Sequence, residues 1–403
     1  MSEQPVFEFA AQAAAGTSPY PPVKEIRRMA RDLRAEGRFL DAAKVYGVAA
    51  KCDPDGNAGL FMAYSLRDAG DDLTALRAFE HYALHHPADF DGHVALGLFL
   101  KQRGEYEAAI APLRTALQLR EDIATRNTYI SCLGRSGHQE DARREGLTNL
   151  RDKHRHALDC ARQSPFAQAG LQPGGRGFDP EHPERNIIAF SLWGDRPEYV
   201  TGAIVNAQIA KHLYLRWTAR FYCDRSVPAD AIEALKAYGA QVVMMDDPDL
   251  VGLRPMWRFF VSDDPGVNVF VCRDADSRLN AKELLAVSDW LASGKRFHVM
   301  RDHVLHHELI LAGMWGGTAG VLPNIRDYLL GAKGYHDNRF MDQAFLGEQV
   351  WPMILDDVRV HDSVFGFPEA AGFPAGYELP GAIHVGGGVK RMPHWAKLIH
   401  MPG

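Results

Sequence analysis

Cysteine is scarce in this chain: Cys52, Cys132, Cys160, Cys223 and Cys272 are scattered, odd in number and never spaced as C-x-x-C. That pattern fits reduced thiols in a cytosolic protein and excludes a disulfide framework; the same reason argues against structural zinc. Basic charge is in deficit, with 45 Lys and Arg against 51 Asp and Glu and a formal net charge of -6. A general nucleic-acid binder grips phosphates with excess cations, so no nucleic-acid partner is expected, and any anionic ligand must be met by local charge. No stretch approaches about 18 uninterrupted apolar residues, so no transmembrane segment is expected. The segment from Met1 to Pro22 lacks a cationic stretch followed by an apolar one, as a secretory signal would require. The expectation is a soluble cytoplasmic protein, with peripheral membrane association left open.

What is present is length and apolar content: 403 residues, 46% hydrophobic, enough for two cores. From Pro22 to about Ala161 the pattern is helical and periodic. Gly37, Gly70, Gly104 and Gly137 recur at intervals of 33, 34 and 33 residues, and Ala42, Ala75, Ala109 and Ala142 each stand five positions further on. Tyr46, Phe79 and Leu113 stand nine positions on. A period in this range marks a solenoid of paired helices, with the small Ala allowing close approach and the Gly ending each first helix in a left-handed turn. The fourth unit is degenerate, as suits a capping repeat.

Residues 162–185 are rich in Gly, Pro and polar groups and read as a linker. From 186 to 403, strands expected at 186–192, 218–223, 241–245, 267–272, 297–300 and 382–385 alternate with helices at about 197–213 and 229–238. That alternation argues for an α/β domain with a mostly parallel sheet. The expected fold class is therefore α plus α/β: repeats over 22–161, a linker over 162–185 and an α/β domain over 186–403.

Two motifs carry chemistry. Asp274-Ala-Asp276 closes the apolar run Val267–Cys272, and two carboxylates at i and i+2 on a strand share a face that can hold a hard cation. Strand ends of open α/β sheets are also where ligands bind. Asp pairs equally cap helices and shape turns. Downstream, His384-Val-Gly-Gly-Gly-Val-Lys390 offers an imidazole, glycine amides and a cation, although it reads equally as a packed histidine, a flexible turn and a solvated lysine. Together the motifs suggest a metal–diphosphate site. Asp302, after the run Phe297–Met300, sits at another strand end, where it could meet sugar hydroxyls or form a salt-bridged turn. His303-x-x-His306-His307-Glu308 lacks the His-Glu-x-x-His order of a metalloprotease helix.

Two resemblances follow from these residues. Ala30-x-x-Leu33-x-x-x-Gly37-x-Phe39-x-x-Ala42 and its recurrences resemble tetratricopeptide repeats, which implies a protein partner held by the solenoid. Residues 186 to 395 resemble a GT-A-type glycosyltransferase, nearest in motif order to the retaining family 8 enzymes that include glycogenin and lipooligosaccharide galactosyltransferases. The likeness rests on Tyr199–Asn206, Phe221–Asp224, Arg254-x-x-Trp257-Arg258, Asp274-Ala-Asp276, Met341-Asp342-Gln343 and His384-x-x-Gly387-x-x-Lys390. It departs at Gly347 and at the inserted Arg391-Met392. The resemblance implies a nucleotide-sugar donor, a glycan, lipid-linked or protein acceptor, and Mn²⁺ or Mg²⁺ held by Asp274, Asp276 and His384. It further implies nucleotide contacts from Asn206, Arg258, Arg273, Gly387 and Lys390, and donor-side roles for Asp342, Gln343 and Asp302. Trp315-Gly-Gly-Thr-Ala-Gly320 would lie near the acceptor, where glycines permit close approach. The alternative is a non-catalytic repeat scaffold with a degenerate nucleotide-sugar domain. A sugar-nucleotide-forming nucleotidyltransferase would need a Gly-rich loop after the first strand, where Ser191–Pro197 has one Gly.

Overall fold

The computed structural model describes residues 21–336, 340–381 and 383–399. Met1–Tyr20, on which the expected lack of a signal rests, and Ala382 lie outside them. The chain divides into two compact units, 1–142 and 143–403.

Among the described residues the N-terminal unit holds only helices, paired as α1 (Val23–Ala35) and α2 (Phe39–Cys52), α3 (Ala58–Asp68) and α4 (Asp72–His85), and α5 (Phe90–Gln102) and α6 (Tyr106–Leu119); α7 (Ile123–Arg135) follows. The periodic glycines do what their spacing requires. Each has φ between 75 and 88°, and the next residue's amide reaches back across the helix end: Arg38 to Leu33, Asp71 to Leu66, Glu105 to Leu100 and His138 to Leu133, at 2.9 to 3.0 Å. This is the six-to-one closure of a left-handed helix cap, repeated four times. Ala42, Ala75, Ala109 and Ala142 are fully buried, where a larger side chain would push the paired helices apart. Tyr46, Phe61, Tyr64, Phe79 and Phe99 form a ladder of ring contacts, at centroid separations of 5.1 to 6.2 Å, that ties successive repeats together. Helix α8 (Gln139–Ala161) crosses from the first unit into the second.

The second unit holds a seven-stranded sheet in the order β3-β2-β1-β4-β6-β5-β7, formed by β1 (Asn186–Leu192), β2 (Thr218–Cys223), β3 (Gln241–Met244), β4 (Val269–Arg273), β5 (Phe297–Arg301), β6 (Trp315–Thr318) and β7 (Val358–Asp362). All neighbours are parallel except β6, which runs antiparallel to β4 and β5. Because alternate side chains face opposite ways, β1 feeds two cores. Ile188, Phe190 and Leu192 pack with Val200, Ala203 and Ile204 of α9 (Pro197–Leu213). Ile187 and Ala189 pack toward Trp257, Phe259 and Trp315. From β1 the chain passes through α9 to β2 on one side, while β4 pairs with β1 on the other. The crevice above the carboxyl ends of β1 and β4 is thus a topological switch point, where open α/β sheets take ligands.

Three expectations change. The boundary between units falls at Ala142/Arg143, inside α8, because Leu150 and Ala157 of that helix are buried in the α/β core. The segment read as a linker is anchored: Phe166 is buried in the same core, and Gln172 donates its amide to the Val321 carbonyl at 2.7 Å. The described residues of the strand expected at 382–385 form no strand; Ile383 is exposed and only Val385 is fully buried, in a turn before three glycines. Among the described residues, no helix is long and apolar enough to cross a membrane.

Leu150→Ala should destabilise the α/β unit by about 2–5 kcal/mol, the usual cost of emptying a fully buried leucine site. Urea unfolding of the full chain, followed by tryptophan fluorescence, checks this, since all seven tryptophans lie beyond residue 190. An unchanged midpoint would mean that α8 does not belong to this core.

Candidate functional site

The two carboxylates stand at the carboxyl end of β4, at the switch point. They are not on the strand itself: β4 ends at Arg273, and the chain turns at once, with Ser277 donating both its amide and its hydroxyl to the Asp274 carbonyl at 3.2 and 2.8 Å. Asp274 and Asp276 are partly exposed while Ala275 and Ser277 are buried. Asn206, on α9, fixes this turn from below. Its amide group donates to the carbonyls of Ser277 at 2.9 Å and Ala275 at 3.4 Å, and its oxygen accepts from the Leu279 amide at 3.2 Å. Gly202, one helical turn earlier, leaves room for the Ala275 carbonyl, which would stand 2.2 Å from a Cβ placed there.

Arg258 holds Asp274. Only 5% exposed, it donates to Asp274 Oδ1 at 2.5 Å and to Asp342 Oδ2 at 3.4 Å. A buried guanidinium therefore joins the turn after β4 to Asp342 in the short helix α10 (Met341–Phe345). The other Asp342 oxygen accepts from the Gln343 amide at 2.8 Å. Burial pushes the Asp342 carboxyl up to about 6, against the pull of Arg258, and Asp274 adds to the rise.

The C-terminal loop closes over Asp276. The Val389 amide donates to the Asp276 carbonyl at 2.7 Å, and Lys390 donates to Asp276 Oδ2. That bond raises the Lys390 ammonium above its ordinary range. A Cβ on Gly388 would stand 2.9 Å from the same carboxylate oxygen, and one on Gly387 would stand 3.4 Å from His384 Nε2. Only a glycine run lets the backbone lie this near both groups.

Of the expected site residues, Asp276 and Lys390 are in direct contact and Asp274 stands in the same turn as Asp276, whereas Gly387 lies against His384. Arg258 and Asn206 adjoin them as supports, touching the carboxylates and their turn. Arg273 does not face the crevice. It is 1% exposed, pairs with Glu283 at 3.4 Å and donates to the Cys272 and Trp315 carbonyls, because as the last residue of β4 it points into the fold. Gln343 is half-buried, whereas Asp342 is engaged by Arg258. Asp302 and His384 form a separate group with His306, whose ligand atoms lie within 4.8 Å of one another; Asp274 and Asp276 are not in it. Asp224, at the end of β2, adds a further charge on this side, held by Arg254 at 2.8 Å; its place after the strand Phe221–Cys223 was the available signal.

Asp274 and Asp276 present the hard oxygens that a divalent cation takes, and each already carries a cationic side chain, Arg258 on Asp274 and Lys390 on Asp276.

No family model matches this chain, and no curated protein matches it. Among solved structures it is similar to MamA (residue 41 to the end) from Desulfovibrio magneticus RS-1, at 20% identity, over 32% of this chain and 75% of that one, with a TM-score of 0.29. It is likewise similar to YrrB, described as a TPR protein with an unusual peptide-binding site, at 20% identity over 31% and 66% of the two chains, with a TM-score of 0.28.

Arg258→Met should cost about 3–5 kcal/mol, because it leaves Asp342 as a buried charge without its partner, and Asp342→Asn in the same chain should recover part of that loss. Denaturant titration of the two single variants and the double variant reads the coupling. The pH dependence has a definite sign. With the folded pKa above the ordinary 3.8, the native state binds the extra proton, so this group's contribution favours folding at low pH and is lost as pH rises through about 6. Asp342→Asn should remove that fall; an identical pH profile in variant and wild type would contradict it.

Proposed function

We propose that the α/β unit binds a nucleotide sugar, its diphosphate over Asp274 and Asp276, and transfers the sugar to an acceptor recruited by the helical repeats. The observation that carries this reading is the approach of the C-terminal loop to the turn after β4, where Lys390 and the Val389 amide bond to Asp276 and Gly388 lies against its carboxylate. Mn²⁺ or Mg²⁺ held by Asp274 and Asp276 would act as a Lewis acid on the diphosphate; His384, which the resemblance adds as a third ligand, groups instead with Asp302 and His306. Lys390 is the mobile donor. Its side chain is 66% exposed, so it can exchange the Asp276 carboxylate for a leaving phosphate whose charge grows in the transition state. Arg258 and Asn206 position the turn, and Gln343 is the half-open candidate for contact with the donor ring. Retention of configuration, with the leaving phosphate assisting the acceptor hydroxyl, is what the resemblance to family 8 enzymes supplies.

A second reading asks for less: a repeat scaffold whose α/β unit binds a nucleotide sugar without turnover. It draws on the ion pair that occupies Asp276 and on the separation of His384 into another group. The helical repeats serve either reading.

A panel of nucleotide sugars with Mn²⁺, assayed for transfer and for slow hydrolysis, separates the two. Turnover in wild type that disappears in Asp276→Asn supports transfer; saturable binding without turnover supports the scaffold. Lys390→Ala should lower kcat and kcat/KM together by roughly 10²- to 10³-fold, with little change in Tm. A variant within about threefold of wild type would reject the diphosphate role for Lys390.

A further inference from the structure

We propose that Asp302, His306 and His384 form a zinc site distinct from the Asp274–Asp276 pair. The three side chains come from two separated stretches: Asp302 and His306 from the loop after β5, His384 from the C-terminal loop. Their ligand atoms lie within 4.8 Å of one another. The Asp302 side chain is 2% exposed; its Oδ2 accepts from the Val385 amide at 3.1 Å and faces Lys282 at 3.7 Å. Its Oδ1 has no hydrogen-bond partner among the described residues and stands 3.6 Å from His306 Nδ1. A buried carboxylate oxygen left in this state costs free energy unless something arrives to meet it.

The two rings are arranged to receive the same guest. His306 Nδ1 accepts the Asp302 amide at 3.2 Å, a hydrogen bond that a metal on this nitrogen replaces. His384 Nδ1 lies 3.1 Å from the Val385 carbonyl; donating there leaves the Nε2 lone pair for a metal, the usual outer support of a ligating histidine. His303 stacks on His384 at 4.3 Å and limits its rotation. Two imidazoles with one carboxylate suit Zn²⁺, with water completing a tetrahedron, better than they suit Mg²⁺. No cysteine takes part, so thiol spacing in the sequence carried no sign of it.

Zinc alone tests this without any nucleotide, and so independently of the transfer reaction. The full chain is used in a His85→Gln background, because His81 and His85 stack at 4.1 Å on an exposed helix face and form an obvious adventitious pair. Calorimetric titration of the metal-stripped protein with Zn²⁺ should show one site per chain. His384→Ala and His306→Gln should each weaken it by about tenfold or more, and Asp276→Asn should leave it unchanged. Absence of a site, wild-type affinity in His384→Ala, or loss in Asp276→Asn would each overturn the proposal. His384 lies in a loop and is only half-buried, so its variant remains informative if His306→Gln fails to fold.

Discussion

The candidate site depends on one guanidinium. Arg258, with almost no access to water, holds Asp274 and Asp342 in a single ion-paired group. A buried charge persists only when it is paired, and here each partner comes from a different stretch of chain, so three segments that are distant in sequence are fixed together. The turn carrying Asp274 and Asp276 therefore has a set position before any ligand arrives. Asn206 and Gly202 hold its backbone, and the glycine loop closes over it. Such a turn offers carboxylates at low reorganisation cost, which is what binding a cation and a polyanion requires.

Much of this was legible in the sequence, and for identifiable reasons. The repeat glycines were legible because a left-handed cap is a residue-specific demand, and the alanines because a close helix crossing tolerates little else. The strands and helices of the first half of the α/β unit showed their periods plainly. Asp274-Ala-Asp276 stood out because the apolar run ends abruptly before it.

The remainder depended on tertiary partners that spacing does not reveal. β7 was missed because Val358-Arg-Val-His-Asp362 is half polar; its His361 is buried only by pairing with His298 at 2.8 Å, and Asp289 at 3.1 Å completes the chain of contacts. Arg273 sat beside the carboxylates in sequence, yet the strand's alternation turns it inward to Glu283. The polar helix α8 gave no sign that Leu150 and Ala157 belong to another core. His306 was passed over because its neighbours broke a known metal motif, while its real companions, Asp302 and His384, include one from a far part of the chain.

The central claim is that the turn after β4 holds a dication against a diphosphate. Electron paramagnetic resonance reads it directly: Mn²⁺ is titrated into the full chain alone and with ADP, GDP and UDP in turn, and the free-ion signal reports binding. Binding that tightens with at least one diphosphate and disappears in the Asp274→Asn/Asp276→Asn double variant is the expected result. Mn²⁺ binding that survives the double variant, or that no diphosphate strengthens, would contradict it.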